Sequence, residues 1–315
     1  MKIYLIEKRD EIKPYLSELE KYGEVIILGS GEKDILKYFQ LFEDREEKVI
    51  GVNTGIIEWK FPKEALEKIT NLKGIASKST WINYLDLDYC VKKGIKVSKL
   101  TGTNSQSVAE YAIWIMLSLA KKLPMQIHNN FKTILESDAE QTEIAGKTMG
   151  ILGLGQIGNR IAKMGRGLGM KVMYWSRKSR DEKYEYKDLD EVLRTSDFIF
   201  NCVQTLEETR GFLNREKLSL LKKEAYVISV IGGMGWGPQD DTYLVKMVKT
   251  GKLAGYGVEN EDEPNFEKPE ILPVNNIFIP ANYAYYTREA RHKSREMWIE
   301  NIIGLASGKP INMVN

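Results

Sequence analysis

The sequence of 315 residues has few of the residues that crosslink small folds or bind metals. It has two cysteines, Cys90 and Cys202, and two histidines, His128 and His292. Two distant cysteines exclude the disulfide framework of a small secreted domain, and no Cys/His spacing is typical of a zinc site. We therefore expect reduced thiols and a fold stabilised by an ordinary hydrophobic core.

A strong net charge and long apolar runs are also missing. The formal net charge of +2 gives no overall attraction to nucleic acid or to an anionic membrane. No run approaches the roughly 18 apolar residues of a membrane span, and about four apolar residues near the start are too few for a signal-peptide core. The sequence therefore predicts a cytoplasmic protein that binds neither nucleic acid nor membranes.

Short β-branched segments alternate with segments of helical spacing along most of the chain. The first series of predicted strands is 2–6, 24–29, 48–53, 72–77 and 95–100, and the second is 148–155, 171–176, 197–203, 225–231, 255–259 and 276–281. Such alternation is typical of a parallel sheet with helices on its faces. The two series predict two α/β domains.

One predicted helix, within residues 103–123, is apolar on nearly every side. Apolar residues at helical spacing include Val108, Ile115 and Leu119, and the opposite face carries Ile113, Trp114 and Leu117. Asn104 or Ser105 is the expected N-cap. A helix of this kind is normally buried all round. We therefore expect it to join two domains or to lie at a subunit interface.

A glycine motif, GLGQIG, follows an apolar strand and opens a helical run. This setting distinguishes a dinucleotide-binding loop from a chance match. Gly153 permits the tight turn, Gly155 lets the backbone approach a pyrophosphate, and Gly158 lets the helix pack on the strand. The amides of Gln156 and Ile157 are expected to face the phosphates.

The strand after this helix ends in a basic segment. NAD-binding proteins place an acidic residue about twenty residues after the glycine motif, where it accepts from the ribose hydroxyls. Here the position is Ser176, and Arg177, Lys178 and Arg180 follow it. A hydroxyl and a guanidinium bind the 2′-phosphate of NADP by charge-assisted hydrogen bonds. The segment therefore predicts NADP(H) in preference to NAD(H), and a solvated basic loop is the alternative.

The glycine motif lies within long segments of a recognisable pattern. Residues 101–112, 143–177, 196–229 and 308–315 together resemble the D-isomer-specific 2-hydroxyacid dehydrogenase family, relatives of phosphoglycerate dehydrogenase and glyoxylate/hydroxypyruvate reductase. This resemblance implies two parallel-sheet domains, Rossmann-like and flavodoxin-like. An NAD(P)-binding Rossmann domain, 102–285, is inserted into a discontinuous substrate (catalytic) domain, 1–101 plus 286–315. It also implies a homodimer.

The resemblance further implies hydride transfer between a nicotinamide and a 2-keto or 2-hydroxy acid. In the family a histidine moves the proton, a glutamate orients that histidine, and an arginine holds the substrate. The glutamate falls on Glu263, the histidine position is Asn282, and the arginine position is Gly232. Two of the three working residues are therefore replaced. The run GGMGWG that begins at Gly232 is predicted to be a loop.

The predicted substrate loop departs from the family as well. Trp81 stands where the family has a glycine, and its indole either fills part of the substrate pocket or forms a stacking wall for a larger ligand. Lys78 of this loop, or a tyrosine, is a candidate proton donor if its pKa is lowered. The resemblance also places five residues beside the cofactor: Val108, Val203, Gln204 (the family has proline), Val230 and Glu259.

Two functional hypotheses follow from these residues. The first is an NADP(H)-dependent oxidoreductase that reduces a 2-keto acid, or a related carbonyl acid, through an atypical active site. The second is a catalytically silent NADP(H)-binding homologue with a sensing or partner-binding role. The sequence names no substrate.

Overall fold

The computed structural model describes residues 1–133, 140–231, 237–259 and 276–315 and divides into two compact units. Unit 1 comprises Met1–Thr103 and Arg288–Asn315, and unit 2 comprises Asn104–Thr287. A sheet lies in each unit, and the strands paired within both sheets are parallel. The predicted α/β class with two parallel sheets is therefore confirmed.

Unit 1 is built on a five-stranded sheet with the order β2-β1-β3-β4-β5. Its strands are β1 (Lys2–Ile6), β2 (Glu24–Ile27), β3 (Lys48–Val52), β4 (Leu72–Ser77) and β5 (Lys96–Ser98). Its helices are α1 (Arg9–Ile12), α2 (Leu16–Leu19), α3 (Phe39–Glu43), α4 (Lys63–Lys68), α5 (Leu87–Lys93) and the C-terminal helix (Arg288–Ala306), with 3₁₀ turns at Lys13–Tyr15 and Ile35–Lys37. In sheets of this order, ligands bind at the carboxyl ends of the strands where the strand order reverses, here β1 and β3.

The C-terminal helix completes the core of unit 1 because glycines on the sheet let it approach closely. A Cβ on Gly51 of β3 would lie 2.8 Å from the side chains of Ile302 and Trp298. Trp298 is fully buried, and its indole N–H donates to the carbonyl of Ala76 over 2.8 Å. The end of the chain therefore packs against strands formed near its beginning.

Unit 2 is built on a seven-stranded sheet with the order β12-β11-β10-β9-β6-β7-β8. Its strands are β6 (Thr148–Leu152), β7 (Lys171–Trp175), β8 (Glu185–Tyr186), β9 (Phe198–Asn201), β10 (Tyr226–Ser229), β11 (Gly255–Val258) and β12 (Ile277–Phe278). Its helices are α6 (Ser105–Ala120), α7 (Leu123–His128), α8 (Gln156–Gly167), α9 (Leu189–Thr195), α10 (Arg215–Leu218) and α11 (Asp241–Lys249), with a 3₁₀ turn at Glu207–Thr209. Each predicted strand is present, and among the described residues the two-residue edge strand β8 is the one strand that was not predicted.

Helix α6 packs tightly on the sheet of unit 2 but is not buried on every side within this chain. A Cβ on Gly257 would lie 2.2 Å from Ile115 of the helix. On the other side Gln106, Glu110 and Trp114 form an exposed stripe at a spacing of four residues, with Trp114 41% exposed. Asn104 occupies the N-cap position, although its side chain makes no capping hydrogen bond. Within the described residues, no helix has the length and apolar character needed to cross a membrane.

Two glycines of α8 differ in their surroundings and predict opposite effects of substitution. A Cβ on Gly158 would lie 2.2 Å from the carbonyl oxygen of Gly153, whereas a Cβ on Gly167 meets no atom within 4 Å. Gly158→Ala should lower the free energy of unfolding by about 1–3 kcal/mol because of overpacking. Gly167→Ala should raise it by up to about 1 kcal/mol because alanine favours the helix. Urea unfolding of both variants measures this, and equal effects would contradict the packing described.

Candidate functional site

The glycine loop joins β6 to α8, and two of its glycines are required by the fold itself. Gly153 has a φ of +94°, in the region that favours glycine, and a Cβ there would lie 2.9 Å from the carbonyl oxygen of Cys202. Gly158 touches the backbone of Gly153 in the same way. These contacts fix the tight turn that the motif predicts.

Gly155 has a different environment. It precedes the first residue of α8, its φ is −83°, and a Cβ on it would meet no atom of the chain within 4 Å. Its neighbours in the protein therefore do not require glycine, and the open space suits a close ligand. The amides of Gln156 and Ile157 lie in the first turn of α8, where N–H groups have no partner within the helix and attract anions.

The basic segment after β7 is folded into a compact turn. Ser176 is 7% exposed, and its hydroxyl oxygen accepts from the amide of Ser179 over 3.2 Å. Arg180 donates through Nη1 to the carbonyls of Ser176 and Ser179, over 2.8 and 2.9 Å, and its guanidinium lies 3.9 Å from the ring centroid of Tyr186. Arg180 therefore stabilises the turn, while Lys178 is exposed.

Arg177 extends from this turn to an acidic residue that the sequence did not single out. Its Nη2 donates to Oε1 of Glu208 over 2.9 Å. Glu208 lies in the 3₁₀ turn Glu207–Thr209, which follows β9. The strands β7 and β9 lie on either side of β6, so the ion pair spans the edge of the sheet at which the glycine loop begins. Only the strand order brings these residues together.

At the carboxyl end of β11, Glu259 and helix α6 anchor the segment that contains Asn282. Glu259 is 7% exposed and accepts from the amide of Ala284 over 2.8 Å. Ser107 donates to the carbonyl of Ala284, and Tyr111 donates to the carbonyl of Ala281 over 2.6 Å. These hydrogen bonds thus fix the segment that contains the half-buried Asn282, the residue assigned from the sequence to the histidine position.

Three tyrosines, Tyr111, Tyr256 and Tyr285, are poorer acids than free tyrosine. Burial raises the pKa of Tyr111 to about 12, and the nearby charge of Glu259 adds to the shift. Burial also raises the pKa of Tyr285, and the pKa of Tyr256 is raised well above its usual value by burial and by Asp241, to which its hydroxyl donates. These three tyrosines therefore lack the lowered pKa that a proton donor needs.

In unit 1, a charged cluster lies at the carboxyl ends of β1, β3 and β4. The ammonium group of Lys78 is paired with Glu7, and Nδ2 of Asn53 donates to Glu7 Oε1 and Oε2 over 3.1 and 2.9 Å. Nζ of Lys78 also lies 5.1 Å from the ring centroid of Trp298. The side chain of Glu7 is 2% exposed and that of Lys78 is 16% exposed, so the cation is the accessible end of the pair.

Sequence reasoning named Lys78 but missed Glu7 and Asn53. A usable signal was present, since each residue directly follows a strand of the parallel sheet, and such strands end at a common edge. The polar residues after β1, β3 and β4 were therefore candidates for one site.

Trp81 is half-exposed in unit 1. Its side chain is 48% exposed, and its ring centroid lies 5.6 Å from that of Trp59 and 6.1 Å from that of Tyr84. Trp59 is 45% exposed and adopts a φ of +60°. The indole therefore does not fill the core of unit 1 and forms an aromatic cluster with Trp59 and Tyr84.

The other predicted site residues differ in exposure. Val108, Val203 and Val230 are buried, whereas Gln204 is exposed. Gly232, with most of its predicted loop, and Glu263 lie outside the described residues. Across the described ranges, no group of three or more His, Cys, Asp and Glu side chains is placed to bind a metal ion.

Comparison with known proteins matches the chain to one family. Residues 113–281, all in unit 2, match the family model for the D-isomer specific 2-hydroxyacid dehydrogenase, NAD binding domain. The glyoxylate reductase of Thermococcus litoralis is 30% identical over 281 residues, which cover 81% of each chain. The glyoxylate reductase of Pyrococcus horikoshii is 26% identical over 100% of this chain and 96% of its own.

A solved structure agrees in fold. The D-lactate dehydrogenase of Aquifex aeolicus, complexed with NAD and lactic acid, has a TM-score of 0.75 and 26% identity over 98% of this chain and 96% of its own. The family model covers more than half of the chain and includes the glycine loop. The chain therefore belongs to the D-isomer-specific 2-hydroxyacid dehydrogenase family.

Proposed function

We propose that the protein is an NADP(H)-dependent oxidoreductase that reduces a 2-keto acid, or a related carbonyl acid, through an atypical active site. The observation that supports it most is the intact glycine loop followed by Ser176 and Arg177 in place of an acid. Unit 2 holds the dinucleotide in this proposal, and unit 1 supplies substrate-binding groups. When bound, the nicotinamide supplies the hydride.

Residues of unit 2 fit a dinucleotide with a 2′-phosphate. The space beside Gly155 and the first turn of α8 suit the pyrophosphate. The guanidinium of Arg177 is half-exposed and suits a phosphate, because its planar fork donates in two parallel directions. A carboxylate at position 176 would repel that phosphate, and this chain has the hydroxyl of Ser176 there.

NADPH should bind at least about tenfold more tightly than NADH, because one charge-assisted contact contributes roughly 1.5–3 kcal/mol. Arg177→Asp should weaken NADPH binding and leave NADH binding nearly unchanged. Titration calorimetry with both dinucleotides measures these affinities. Equal affinities in the wild-type protein would rule out the role given to the segment from Ser176 to Arg180.

The proton donor in this proposal is Lys78. Asn282 hydrogen-bonds a carbonyl oxygen but cannot transfer a proton at neutral pH, and Gly232 has no charge to bind a carboxylate. The ammonium of Lys78 has three N–H groups, one of which reaches Glu7, and its exposed side leaves a donor for a ligand. Glu7 and Asn53 fix the direction of that ammonium.

We expect very slow reduction of glyoxylate, hydroxypyruvate and pyruvate with NADPH, although NADPH binds. Loss of a general acid commonly costs a factor of about 10²–10⁴, and the loss of the arginine overlaps with it. The half-exposed Trp81 also favours a larger substrate than these acids. Steady-state NADPH oxidation tests this, with Lys78→Met and the double variant Gly232→Arg, Asn282→His beside the wild type.

If the double variant gains hydride transfer, this result supports the interpretation that Asn282 and Gly232 replace the catalytic histidine and arginine of the family. Lys78→Met should remove whatever turnover a larger 2-keto acid supports. Wild-type turnover of glyoxylate above about 1 s⁻¹, in the ordinary enzyme range, would contradict the proposal.

A catalytically silent NADP(H)-binding role is the second candidate. The observation that favours it is the combination of a complete glycine loop with Asn282 and Gly232 at catalytic positions. Tight NADPH binding without turnover of any 2-keto acid, large or small, would favour this role over the enzyme.

We further propose a homodimer formed through the exposed apolar surface around Trp114 of α6. Trp114 lies 4.9 Å from Tyr111 and 5.0 Å from Phe278, measured between ring centroids. Ile127 and Phe131, just after this helix, are 50% and 70% exposed. A second copy of the chain is the simplest partner for such an apolar surface, because symmetric dimers are the commonest assemblies.

Light scattering at micromolar concentration should give the mass of two chains. Trp114→Glu should give one chain without unfolding it, because a charge is placed in the apolar surface while the side chain is already 41% exposed. Val91→Glu, at a 61% exposed position of unit 1, is the control and should remain dimeric. A monomeric wild-type protein would contradict the proposal.

A further inference from the structure

We propose that Glu208 is a specificity-determining residue, which competes with the 2′-phosphate of NADP(H) for Arg177. Glu208 and Arg177 form an ion pair, here called the latch, across the sheet edge of unit 2 at which the dinucleotide is proposed to bind. This proposal rests on the proposed function. The structure shows the latch closed, with Arg177 Nη2 and Glu208 Oε1 2.9 Å apart. A bound 2′-phosphate takes the place of the Glu208 carboxylate, whereas a 2′-hydroxyl does not.

The topology places the latch at the dinucleotide edge. Dinucleotides lie across the carboxyl ends of the strands where the strand order reverses. In unit 2 that reversal is at β6, with β7 on one side and β9 on the other. Arg177 follows β7 and Glu208 follows β9, so their ion pair joins the two loops that border the glycine loop.

Both ends of the latch are held by their own loops. The turn that contains Glu208 is fixed by Thr209, which is 2% exposed and whose hydroxyl donates to the carbonyls of Gln204 and Leu206 over 2.7 and 3.0 Å. On the other side, the turn after β7 is fixed by Arg180, as described above. The two fixed turns therefore bring Arg177 and Glu208 into contact, although their side chains are 47% and 63% exposed.

Arg177 and Arg180 have different partners, so a phosphate would have to displace different groups to bind each of them. Arg180 already donates to two carbonyls and stacks on Tyr186, so it belongs to the structure of the turn. Arg177 binds a carboxylate, and a guanidinium binds carboxylate and phosphate with the same fork. A 2′-phosphate, with a charge near −2, therefore competes directly with Glu208, and the carboxylate lowers NADPH affinity without touching the NADH complex.

The test is titration calorimetry of NADPH and NADH with the full-length protein and its Glu208→Gln and Glu207→Gln variants. Glu207 is the matched control, because it is the neighbouring exposed acid and the described contacts pair Arg177 with Glu208 alone. Glu208→Gln should tighten NADPH binding about three- to fivefold, the upper range for an exposed ion pair. NADH binding should stay unchanged for both variants.

Two further measurements distinguish direct competition between Glu208 and the 2′-phosphate from a general electrostatic effect of removing one negative charge. In an Arg177→Met background, Glu208→Gln should no longer change NADPH affinity, as a double-mutant cycle requires for a direct pair. The advantage of Glu208→Gln should also shrink as salt is raised, because the ion pair is exposed. Circular dichroism should show unchanged melting of the Glu208 and Glu207 variants.

The proposal is overturned if Glu208→Gln weakens NADPH binding, or if it changes the NADPH-to-NADH affinity ratio no more than Glu207→Gln does. These results are distinct from failure of the proposed cofactor preference. If the wild type binds both dinucleotides equally while Glu208→Gln selectively tightens NADPH, the latch stands and the preference for NADP(H) fails.

Discussion

Parallel pairing of the strands is the constraint on which both candidate sites depend, because strands that run in one direction all end at the same edge of a sheet. In unit 1 this brings Glu7, Asn53 and Lys78 into one hydrogen-bonded cluster although they are separated by up to 71 residues. In unit 2 it brings Arg177 and Glu208 together beside the glycine loop. Both candidate sites therefore lie at the carboxyl ends of parallel strands.

The three glycines of the loop differ in whether packing contacts within the chain require them. Gly153 and Gly158 are required by backbone contacts within 3 Å of an added Cβ, so they would be needed even in a protein that binds nothing. Gly155 has open space around it, so the described packing contacts do not account for glycine there. In the proposed function this space is left for the dinucleotide, and Asn282 and Gly232 stand where the family resemblance places the catalytic histidine and arginine.

Local patterns in the sequence predicted the strands, the glycine loop and the family, because each depends on residues close together in the chain. Glu208 and Glu7 were missed from the sequence, since their partners lie 31 and 71 residues away in the chain. For Glu7 the usable signal was its position directly after a predicted strand. The apolar pattern of α6 did not show its exposed stripe, because Trp114 is apolar and yet faces outward. Raised tyrosine pKa values depend on burial, which the spacing of tyrosines in the sequence does not predict.

A crystal structure of the protein with NADPH is the decisive experiment, because it shows whether the dinucleotide edge of unit 2 binds the 2′-phosphate through Arg177. We expect a pyrophosphate over Gly155, a 2′-phosphate bonded to the guanidinium of Arg177, and the carboxylate of Glu208 released from it. A 2′-phosphate directed into solvent, with Arg177 still paired to Glu208, would refute this role of Arg177.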